Sequence, residues 1–502
     1  MKRLLIILTG LALVAGLALI TGCEKVDNGY TADDTPEYDV VFEHDYTADE
    51  YALKLFGDGT NSDDDAELAA AKAQAKANFL KHDAEITAAK AEELGTNSSP
   101  ITTYRQAKLS YTSIDENGEE IKLSGLVAFQ TWRDMLWLWQ PVNTVNQVLI
   151  ENHFTVTANK ECPTETGTYF ECALYTLPGV VISADFEGYG DSRDRIHPYL
   201  NGMLTARQQV DFIKVALDYI STQGKYIKLE KGFNTYSIGY SQGGAVTLAV
   251  QKYLEKYELD FAKKINFRGS ICGAGPYDMV RTYDFYRYSK FTTHPGIFPL
   301  IVKGMMVSHP DLFVKGVKFE NYFTKEFLAV DGGIYESLAK KEITLDGYSE
   351  ILEKMDKKNN PNNFFEKKEH SVEITSWNGS KVNQTTDGWS LDQILSAEAL
   401  DPASIEYLCL GAALSKENLL RDWTPKQPVY FYHFEYDTVV PICTLFDLKE
   451  KHPYALWPTD RYRVEADDLY ETDHVGAGYK FMLALIAMTD FEDLFKGMKR
   501  EW

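Results

Sequence analysis

The hydrophobic positions of the chain follow strand-like and then helix-like spacing from residue 102 onward. Two alternating runs, at residues 102–113 and 120–129, flank the turn Glu116-Asn117-Gly118 and predict a β-hairpin. The short apolar runs NQVLIEN and GVVISADF are typical of strands covered on both faces. The next apolar positions recur in steps of four and three and predict an amphipathic helix: Ala206, Val210, Ile213, Leu217 and Ile220. This order of strands and helix indicates a parallel sheet.

The strand pattern continues, stops and returns further along the chain. TYSI leads through GYSQGG into the helical segment AVTLAVQKYLEKY, and FRGSICGAG predicts another strand. Residues 276–420 are aromatic-rich and mostly helical in pattern, after which QPVYFYHF and RYRVEA restore the strands. We therefore expect a core in two parts, at residues 101–275 and 421–502, with a cap or lid inserted between them.

The N-terminal residues have the pattern of an export signal. Lys2 and Arg3 precede an apolar run that stops at Cys23, so residues 1–22 are predicted to be a signal peptide. The ending Leu-Ile-Thr-Gly-Cys resembles the lipobox of bacterial lipoproteins, which implies a lipid on Cys23 and anchoring to the bacterial cell envelope, at the outer membrane. An ordinary signal peptide or a single membrane anchor is the alternative. Residues 23–100 would then be an acidic tether, to about residue 59, and an alanine-rich helical segment.

Charge restricts the partners of the chain. Its 51 basic and 74 acidic residues give a formal net charge of −23, which repels nucleic-acid phosphates and favours a neutral or cationic substrate. The six cysteines have no metal-ligand spacing, so no metal site is expected. Cys162 and Cys172 lie in a polar loop of an exported chain, where a disulfide and two free thiols are both open.

The segment GYSQGG at residues 239–244 places a serine between glycines. The pattern G-x-S-x-G arises often by chance, but here it lies between a predicted strand and a predicted helix. A sharp turn at that point lifts a serine hydroxyl above the sheet edge and directs the helix N-terminus toward it. Ser241 is therefore the candidate nucleophile. Gly239 and Gly243 are expected to be glycine because a side chain there would collide with the neighbouring strand or helix.

A serine hydroxyl needs an imidazole to accept its proton and a carboxylate to orient that imidazole. His474 follows the last predicted strand and precedes the closing helix, so it is the candidate base. Asp437, in the segment FEYDTVVP after the strand VYFYHF, is the candidate acid, with Glu435 as the second choice. Asp473 is expected to be an exposed loop carboxylate.

These motifs together resemble the α/β-hydrolase superfamily. The segments GYSQGG, DTVVP and Asp473-His474 match its chain order, and ADFEGYGDS is similar to secreted bacterial lipase and esterase-like lipoproteins. The resemblance implies a mostly parallel central sheet flanked by helices, with an inserted, mainly helical cap. It also implies a serine hydrolase that forms an acyl-enzyme without a cofactor, on a small-molecule, lipid or acylated-glycan ester.

The expected oxyanion hole is where the resemblance is weakest. One donor should be the backbone N–H of Gln242, and the second should come from the loop after NQVLIEN. Relatives commonly have His-Gly there, whereas this chain has His153-Phe154-Thr155. Phenylalanine tolerates a positive φ poorly, so the loop must turn differently or offer another donor. Phe154 is the first candidate and Thr155 the second.

Two other functions remain open from the sequence. The same three residues could belong to a serine peptidase, because the triad also cleaves amides. A ligand-binding lipoprotein on an inactive hydrolase fold would require the loss of a triad member, and Ser241, Asp437 and His474 are all present in order. The sequence does not specify the oligomeric state.

Overall fold

The computed structural model describes residues 34–57, 66–95, 100–133, 142–167, 179–329, 334–359, 365–468, 472–486, 488 and 490–502. The predicted signal peptide, the lipid-attachment position Cys23 and the Cys172 partner of a Cys162 disulfide lie outside these residues, so these three expectations stay predictions. Within the described ranges, no helix combines the length and apolar character needed to cross a bilayer.

A nine-stranded sheet forms the centre of the molecule. Its order is β1-β2-β3-β5-β4-β6-β7-β11-β12, and three further strands form a separate sheet. The strands are β1 (Tyr38–Thr47), β2 (Ile101–Ile114), β3 (Glu120–Arg133), β4 (Asn143–Asn152), β5 (Gly179–Ala184), β6 (Ile227–Tyr240), β7 (Phe267–Gly273), β8 (Phe291–Thr292), β9 (Lys368–Thr375), β10 (Lys381–Ser390), β11 (Val429–Phe434) and β12 (Tyr462–Asp467).

The six strands from β5 to the β12 edge run parallel, and β3 is antiparallel to both of its neighbours. The predicted hairpin is β2–β3, paired from Ile101–Arg133 to Ile114–Glu120. The mostly parallel sheet predicted from the apolar runs is therefore confirmed. Parallel strands bring their carboxyl ends to one edge, and the loops after β4, β6 and β11 meet there.

Helices cover both faces of this sheet, and further helices belong to the inserted region. The described helices are α1 (Ala48–Phe56), α2 (Ala66–Leu94), α3 (Pro163–Thr166), α4 (Gly202–Thr222), α5 (Gln242–Tyr257), α6 (Leu259–Lys264), α7 (Met279–Ser289), α8 (Ile297–Ser308), α9 (Lys325–Ala329), α10 (Ile334–Ala339), α11 (Leu345–Asn359), α12 (Ala397–Leu400), α13 (Ile405–Lys416), α14 (Phe446–Lys449) and α15 (His474–Ile486).

Alternation along the strands divides the apolar side chains between the two faces. Val148 of β4 packs in a cluster that includes Phe212 of α4 and Leu248 of α5. Its neighbour Leu149 belongs to the opposite cluster, with Phe481 of α15. Burial on both faces explains why these strands read as unbroken apolar runs rather than as an alternating pattern.

The acidic segment after Cys23 differs from the sequence expectation of a tether reaching about residue 59. Residues 38–47 form the edge strand β1, antiparallel to β2, and Thr47 caps α1 in a reciprocal capping box with Glu50. Several acidic side chains of this segment pair with the core: Asp45 binds Arg105 at 2.7 Å, and Asp34 binds Lys214 at 2.5 Å.

The alanine-rich segment is one long helix, α2, which packs on the sheet. Phe79 is fully buried, and its ring lies 5.2 Å from the ring of Tyr104 in β2. Tyr104 also donates to Asp83 at 2.9 Å.

The inserted region contains strands as well as helices. It has its own apolar cluster, including Tyr283, Phe298, Met305, Tyr322 and Trp389. The strands β8, β10 and β9 form a three-stranded antiparallel sheet that the sequence analysis did not predict. The cap is therefore mainly helical with a small sheet, and its boundaries at residues 276 and 420 remain a prediction.

Candidate active site

Ser241 lies at the turn between β6 and α5. The strand ends at Tyr240, the helix begins at Gln242, and the serine has φ 57° and ψ −125°. Its backbone N–H donates to Gly273 O at 2.9 Å, which ties the turn to β7. An L-amino acid rarely adopts this conformation, so the surrounding packing must impose it.

The two glycines that flank the turn have no room for a side chain. A Cβ at Gly239 would lie 2.5 Å from Gly243 O and 2.6 Å from Asn152 O. A Cβ at Gly243 would lie 2.0 Å from Asn152 O. The first turn of α5 is thus pressed against the end of β4, as expected from the sequence.

The structure brings Ser241, Asp437 and His474 into one hydrogen-bonded row. His474 Nε2 lies 2.9 Å from Ser241 Oγ, and His474 Nδ1 lies 2.6 Å from Asp437 Oδ2. A carboxylate can only accept, so Nδ1 carries a proton, and in the neutral imidazole Nε2 then presents its lone pair to the serine hydroxyl. Asp437 is completely buried, and His474 is 8% exposed.

The loop that carries Asp437 is held by its own backbone. Asp437 Oδ1 accepts from the N–H groups of Val439 and Val440 at 2.8 and 2.9 Å. His433, at the end of β11, lies with Nε2 2.8 Å from Val440 O. Burial lowers the pKa of His433, so the ring is neutral and donates to that carbonyl. The sequence gives no indication of this contact.

Tyr240 forms a hydrogen bond to the backbone of His474, whose imidazole contacts Ser241. Its hydroxyl donates to His474 O at 2.7 Å, and its ring lies 5.1 Å from the imidazole. The residue before Ser241 therefore holds the backbone of His474 directly. This contact is not evident from the sequence, since a tyrosine at the end of a buried strand resembles any other core aromatic.

The other carboxylates considered from the sequence lie elsewhere. Glu435 accepts from Trp377 N at 3.1 Å, and Asp473 Oδ1 accepts from Gly476 N at 2.7 Å. Asp473 is exposed, as expected, although it is adjacent to His474 in the chain. Neither carboxylate is hydrogen-bonded to the imidazole of His474, which is paired with Asp437.

Gln242 is fixed by its side chain. Gln242 Nε2 donates to His197 Nε2 at 2.9 Å, and His197 Nδ1 in turn donates to Glu187 O at 2.6 Å. Burial lowers the pKa of His197 to about 3, so His197 stays neutral and can accept from the amide. As the first residue of α5, Gln242 has a backbone N–H with no partner inside the helix.

The loop after β4 avoids the strain expected from a phenylalanine at positive φ. Phe154 is not among the residues with positive φ in the described chain, whereas Phe186 is, at 60°. His153 Nδ1 lies 2.7 Å from Phe154 O, and the Phe186 ring stacks on His153 at 3.9 Å. Burial lowers the pKa of His153 to about 4, so a neutral ring fixes the loop. Both Phe154 and Thr155 remain candidates for the second oxyanion donor.

A buried carboxylate supports this part of the edge. Asp185 accepts from Ser124 Oγ at 2.6 Å, from Thr164 N at 2.9 Å and from Thr164 Oγ1 at 2.6 Å. Burial raises the pKa of Asp185 to about 6. Asp185 therefore connects β3, β5 and α3 beneath the candidate site and lies outside the row of reacting groups.

A cavity of about 480 Å³ opens beside His474. Its core side is formed by Thr438, Val439, Asp473, His474 and Val475. Its opposite side comes from the inserted region, through residues 293–294, 346–353, 367 and 386–387, which we call the cap wall. Within the part of the chain that the structure describes, no group of three His, Cys, Asp or Glu side chains could hold a metal ion.

Solved structures share this architecture. The esterase LipA of Xanthomonas oryzae, described as rice cell wall degrading, is 16% identical and aligns with a TM-score of 0.56 over 91% of this chain and 95% of its own. A provisionally named hydrolase of Legionella pneumophila is 15% identical and aligns with a TM-score of 0.59 over 93% and 99%. The chain has the α/β-hydrolase fold.

This α/β-hydrolase fold is established by structural similarity alone. No protein-family model matches the sequence, and a search among curated proteins finds no match. In this fold the turn after the strand that corresponds to β6 presents the nucleophile, and the acid and base follow on later loops. In this chain Ser241 follows β6, Asp437 follows β11 and His474 begins α15, in the same order along the chain.

Proposed function

We propose that this α/β-hydrolase-fold protein is a serine hydrolase that cleaves carboxylic esters through an acyl-enzyme. The observation that carries the proposal is the row from Asp437 through His474 to Ser241, with contacts of 2.6 and 2.9 Å. Asp437, at one end of the row, is fully buried. Ser241, at the other end, is only half-buried, so a substrate can reach its hydroxyl. Such a row has the geometry of nucleophilic catalysis.

The chemistry follows from the protonation states of the three groups. His474 Nε2 takes the proton of Ser241 Oγ while that oxygen attacks the ester carbonyl, and Asp437 stabilises the resulting imidazolium. The imidazolium then gives its proton to the departing alcohol, which leaves an acyl group on Ser241. Water attacks this acyl-enzyme with His474 again as base, and the acid product leaves.

The negative oxygen formed in each attack needs preorganised donors. The N–H of Gln242 at the start of α5 is the first, because its side chain is anchored on His197 and the helix dipole favours negative charge there. The second is Phe154 N–H, with Thr155 N–H as the alternative. The hydrogen bond between His153 and the Phe154 carbonyl fixes the orientation of that loop.

Ester bonds are the preferred substrate class for two reasons. The neighbour from Xanthomonas oryzae is described as an esterase, and it aligns over nearly the whole length of both chains. A small-molecule, lipid or acylated-glycan ester fits the acyl-enzyme chemistry without a metal or an organic cofactor. Turnover of amides in place of esters would instead identify the protein as a serine peptidase.

A direct test uses the protein without residues 1–23, a fluorophosphonate probe and chromogenic esters of graded acyl length. We expect labelling and turnover by the unaltered protein, and loss of both in Ser241→Ala. Turnover in His474→Ala should fall by roughly a thousandfold or more. Labelling or turnover that survives Ser241→Ala would contradict the mechanism, and turnover of aminoacyl amides without esters would favour the peptidase.

We also propose that Cys23 carries a lipid that anchors the hydrolase to the bacterial cell envelope, at the outer membrane. The support is the sequence Leu-Ile-Thr-Gly-Cys directly after an apolar leader. Metabolic labelling with a tritiated fatty acid should mark the full-length chain and not Cys23→Ala. Equal labelling of the two proteins would contradict the proposal, and membrane fractionation would then locate the protein independently.

A further inference from the structure

A side chain of the inserted region reaches the loop that carries Asp437. This loop, residues 435–441, follows β11, and we call it the acid loop. Tyr286 lies near the end of α7, and its hydroxyl donates to Val439 O at 2.6 Å. A carbonyl oxygen can only accept, so the tyrosine is the donor. One hydrogen bond therefore joins the cap to the acid loop, two residues after Asp437.

One peptide group of the acid loop is held on both of its sides. The carbonyl of Val439 and the N–H of Val440 belong to the same planar, trans peptide group and point in opposite directions. The N–H donates to Asp437 Oδ1 at 2.9 Å, while the carbonyl accepts from Tyr286. Rotation of this peptide group would break both hydrogen bonds. Tyr286 thus fixes the direction in which the Val440 N–H meets the carboxylate.

The contact of His433 with the same loop has no such effect on the carboxylate. His433 lies against Val440 O, and the peptide group of that carbonyl ends at the nitrogen of Pro441. Proline has no N–H, so this peptide group offers no donor to Asp437. Of the two carbonyls, Val439 O is therefore the one whose hydrogen bond bears on the acid.

The hydroxyl of Tyr286 keeps its proton in this environment. The side chain is buried, and its ring packs edge-on against the ring of Phe298 at 5.2 Å. Burial, followed by the charge of Asp437, raises the pKa of Tyr286. A hydrogen bond is electrostatically stronger in the protein interior than in water, so its loss should be felt by the peptide group that it holds.

The first turn of α7 is attached to the chain that follows the acid loop. Asp278, the N-cap of α7, donates through its backbone N–H to Thr444 Oγ1 at 2.8 Å. Arg281 binds the buried Asp447 at 3.0 Å. Both core partners lie within ten residues of the acid loop, so α7 and this stretch of the core are fastened together. Tyr286 therefore contacts the acid loop from a helix that is itself fixed to the core.

We propose that Tyr286 is a positioning residue for the proposed catalytic acid. By orienting the Val440 N–H, it holds the carboxylate of Asp437 in the place where Oδ2 accepts from His474 Nδ1. Tyr286 acts through Asp437 and takes no part in bond breaking. The cap is then a part of the active-site scaffold as well as a cover. This inference rests on the proposed function and specifies how its acid is held.

The test compares the loss of two similar hydroxyl groups on one helix. Tyr286→Phe keeps the ring and removes the hydrogen bond to Val439 O. Tyr283→Phe is the matched control, since Tyr283 is also a buried residue of α7 and donates to Ala399 O, inside the cap, at 2.8 Å. Each variant loses one buried hydrogen bond to a carbonyl, so the two thermal midpoints should fall by similar amounts.

Only Tyr286→Phe should slow the reaction. With a chromogenic short-chain ester, its kcat should fall by about three- to tenfold. Acylation and deacylation both use the pair of Asp437 and His474, so both steps slow together and KM should change by less than about twofold. Tyr283→Phe should keep the parental kcat and KM. A merely structural role would not separate the two tyrosines.

A second background shows whether the effect passes through the carboxylate. Asp437→Ala removes the group that the Val440 N–H holds, so adding Tyr286→Phe should lower the residual kcat by less than about twofold. If the double variant instead showed the full product of the two single losses, Tyr286 would act independently of the acid, and the inference would be wrong.

The remaining outcomes separate this inference from the proposed function. Turnover of neither esters nor amides by the unaltered protein would overturn both. Turnover with equal kcat values in Tyr286→Phe, Tyr283→Phe and the unaltered protein would overturn the inference alone. A change in KM without a change in kcat would also overturn it, because Tyr286 would then affect substrate binding instead of the acid.

Discussion

The two sides of the cleft are built on different principles. On the core side, Asp437 is fully buried, both of its oxygens are hydrogen-bonded, and His474 is held from two directions. On the cap wall, Asp346 and Asp387 are exposed and lack ion pairs among the described residues. On the core side, hydrogen bonds hold Asp437 and His474 in fixed positions. The cap wall acts only through the charge of exposed carboxylates, which water and salt screen. Substitutions should therefore cost orders of magnitude on the core side and small factors on the cap wall.

The largest effect is expected at the buried carboxylate. Asp437→Asn removes the charge that stabilises the imidazolium and permits the wrong tautomer of His474, so kcat should fall by about a thousandfold to ten-thousandfold. The change is measured as the initial rate with a chromogenic ester. Asp311→Asn, an exposed aspartate of the cap that does not line the cavity, is the control and should keep the parental rate. Equal losses in the two variants would contradict a specific role for Asp437.

The glycine at the start of α5 should be the most sensitive to added volume. Gly243→Ala places a methyl group 2.0 Å from Asn152 O, and the backbone must shift to admit it. We expect the free energy of unfolding to fall by about 2–4 kcal/mol in denaturant titration.

The cap offers a matched glycine. Gly411 lies inside α13, and a Cβ there meets no atom within 4 Å. Gly411→Ala should stabilise the protein by about 0.5–1 kcal/mol, since alanine is the better helix former. If Gly411→Ala lowered the free energy of unfolding as much as Gly243→Ala, the tight packing around Gly243 would not be the cause of the loss.

Asp185 should make the free energy of unfolding depend on pH in a distinctive way. Its folded pKa of about 6 is above the ordinary value for an aspartate, so its contribution to stability is full at low pH and is lost as pH rises toward 6. The asparagine in Asp185→Asn cannot ionise, so the unfolding free energy of this variant should fall less steeply between about pH 4 and 6 than that of the parental protein. The difference between the two falls should total ~1–3 kcal/mol.

A second buried carboxylate does not confuse this measurement. Burial raises the pKa of Glu255 to about 7, which adds a slope of the same sign to both proteins. The difference between the two denaturation series therefore isolates Asp185. Parallel series would contradict the assignment.

A smaller loss of activity than in Asp437→Asn is expected at the tyrosine before Ser241. Tyr240→Phe keeps the ring and removes the hydrogen bond to His474 O, so kcat/KM should fall by about five- to tenfold, which corresponds to ~1 kcal/mol. Tyr288→Phe, on a cap residue that is 73% exposed, should leave kcat/KM unchanged. An unaltered Tyr240→Phe enzyme would mean that the imidazole is positioned by Asp437 alone.

The sequence predicts the core side far better than the cap wall. The strand, the serine turn and the helix around residue 241 are contiguous, so their periodicity and glycines fall within one short window. The acid and base follow later strands in the order that this fold requires. Such local signals exist wherever one supersecondary unit fixes the position of a side chain.

The rest of the molecule lacks such signals. The cap wall joins residues near 293, 350 and 387, which belong to three separate segments of the inserted region and are brought together by tertiary packing that residue spacing does not reveal. The edge strand β1 is hidden because its acidic residues suggest a solvated linker, while partners such as Arg105 lie far along the chain. The contacts of Tyr240 and His433 are likewise set by tertiary packing alone.

The strained backbone of Ser241 bears on the evolution of the protein. A φ of 57° with a ψ of −125° costs a side-chain-bearing residue about 1–3 kcal/mol, and glycine would adopt it freely. Selection for stability alone would therefore replace the serine, and only selection for its hydroxyl would keep it. A sequence that had lost its activity would be expected to drift toward glycine at this position, which makes residue 241 an indicator of whether a related chain still carries out chemistry.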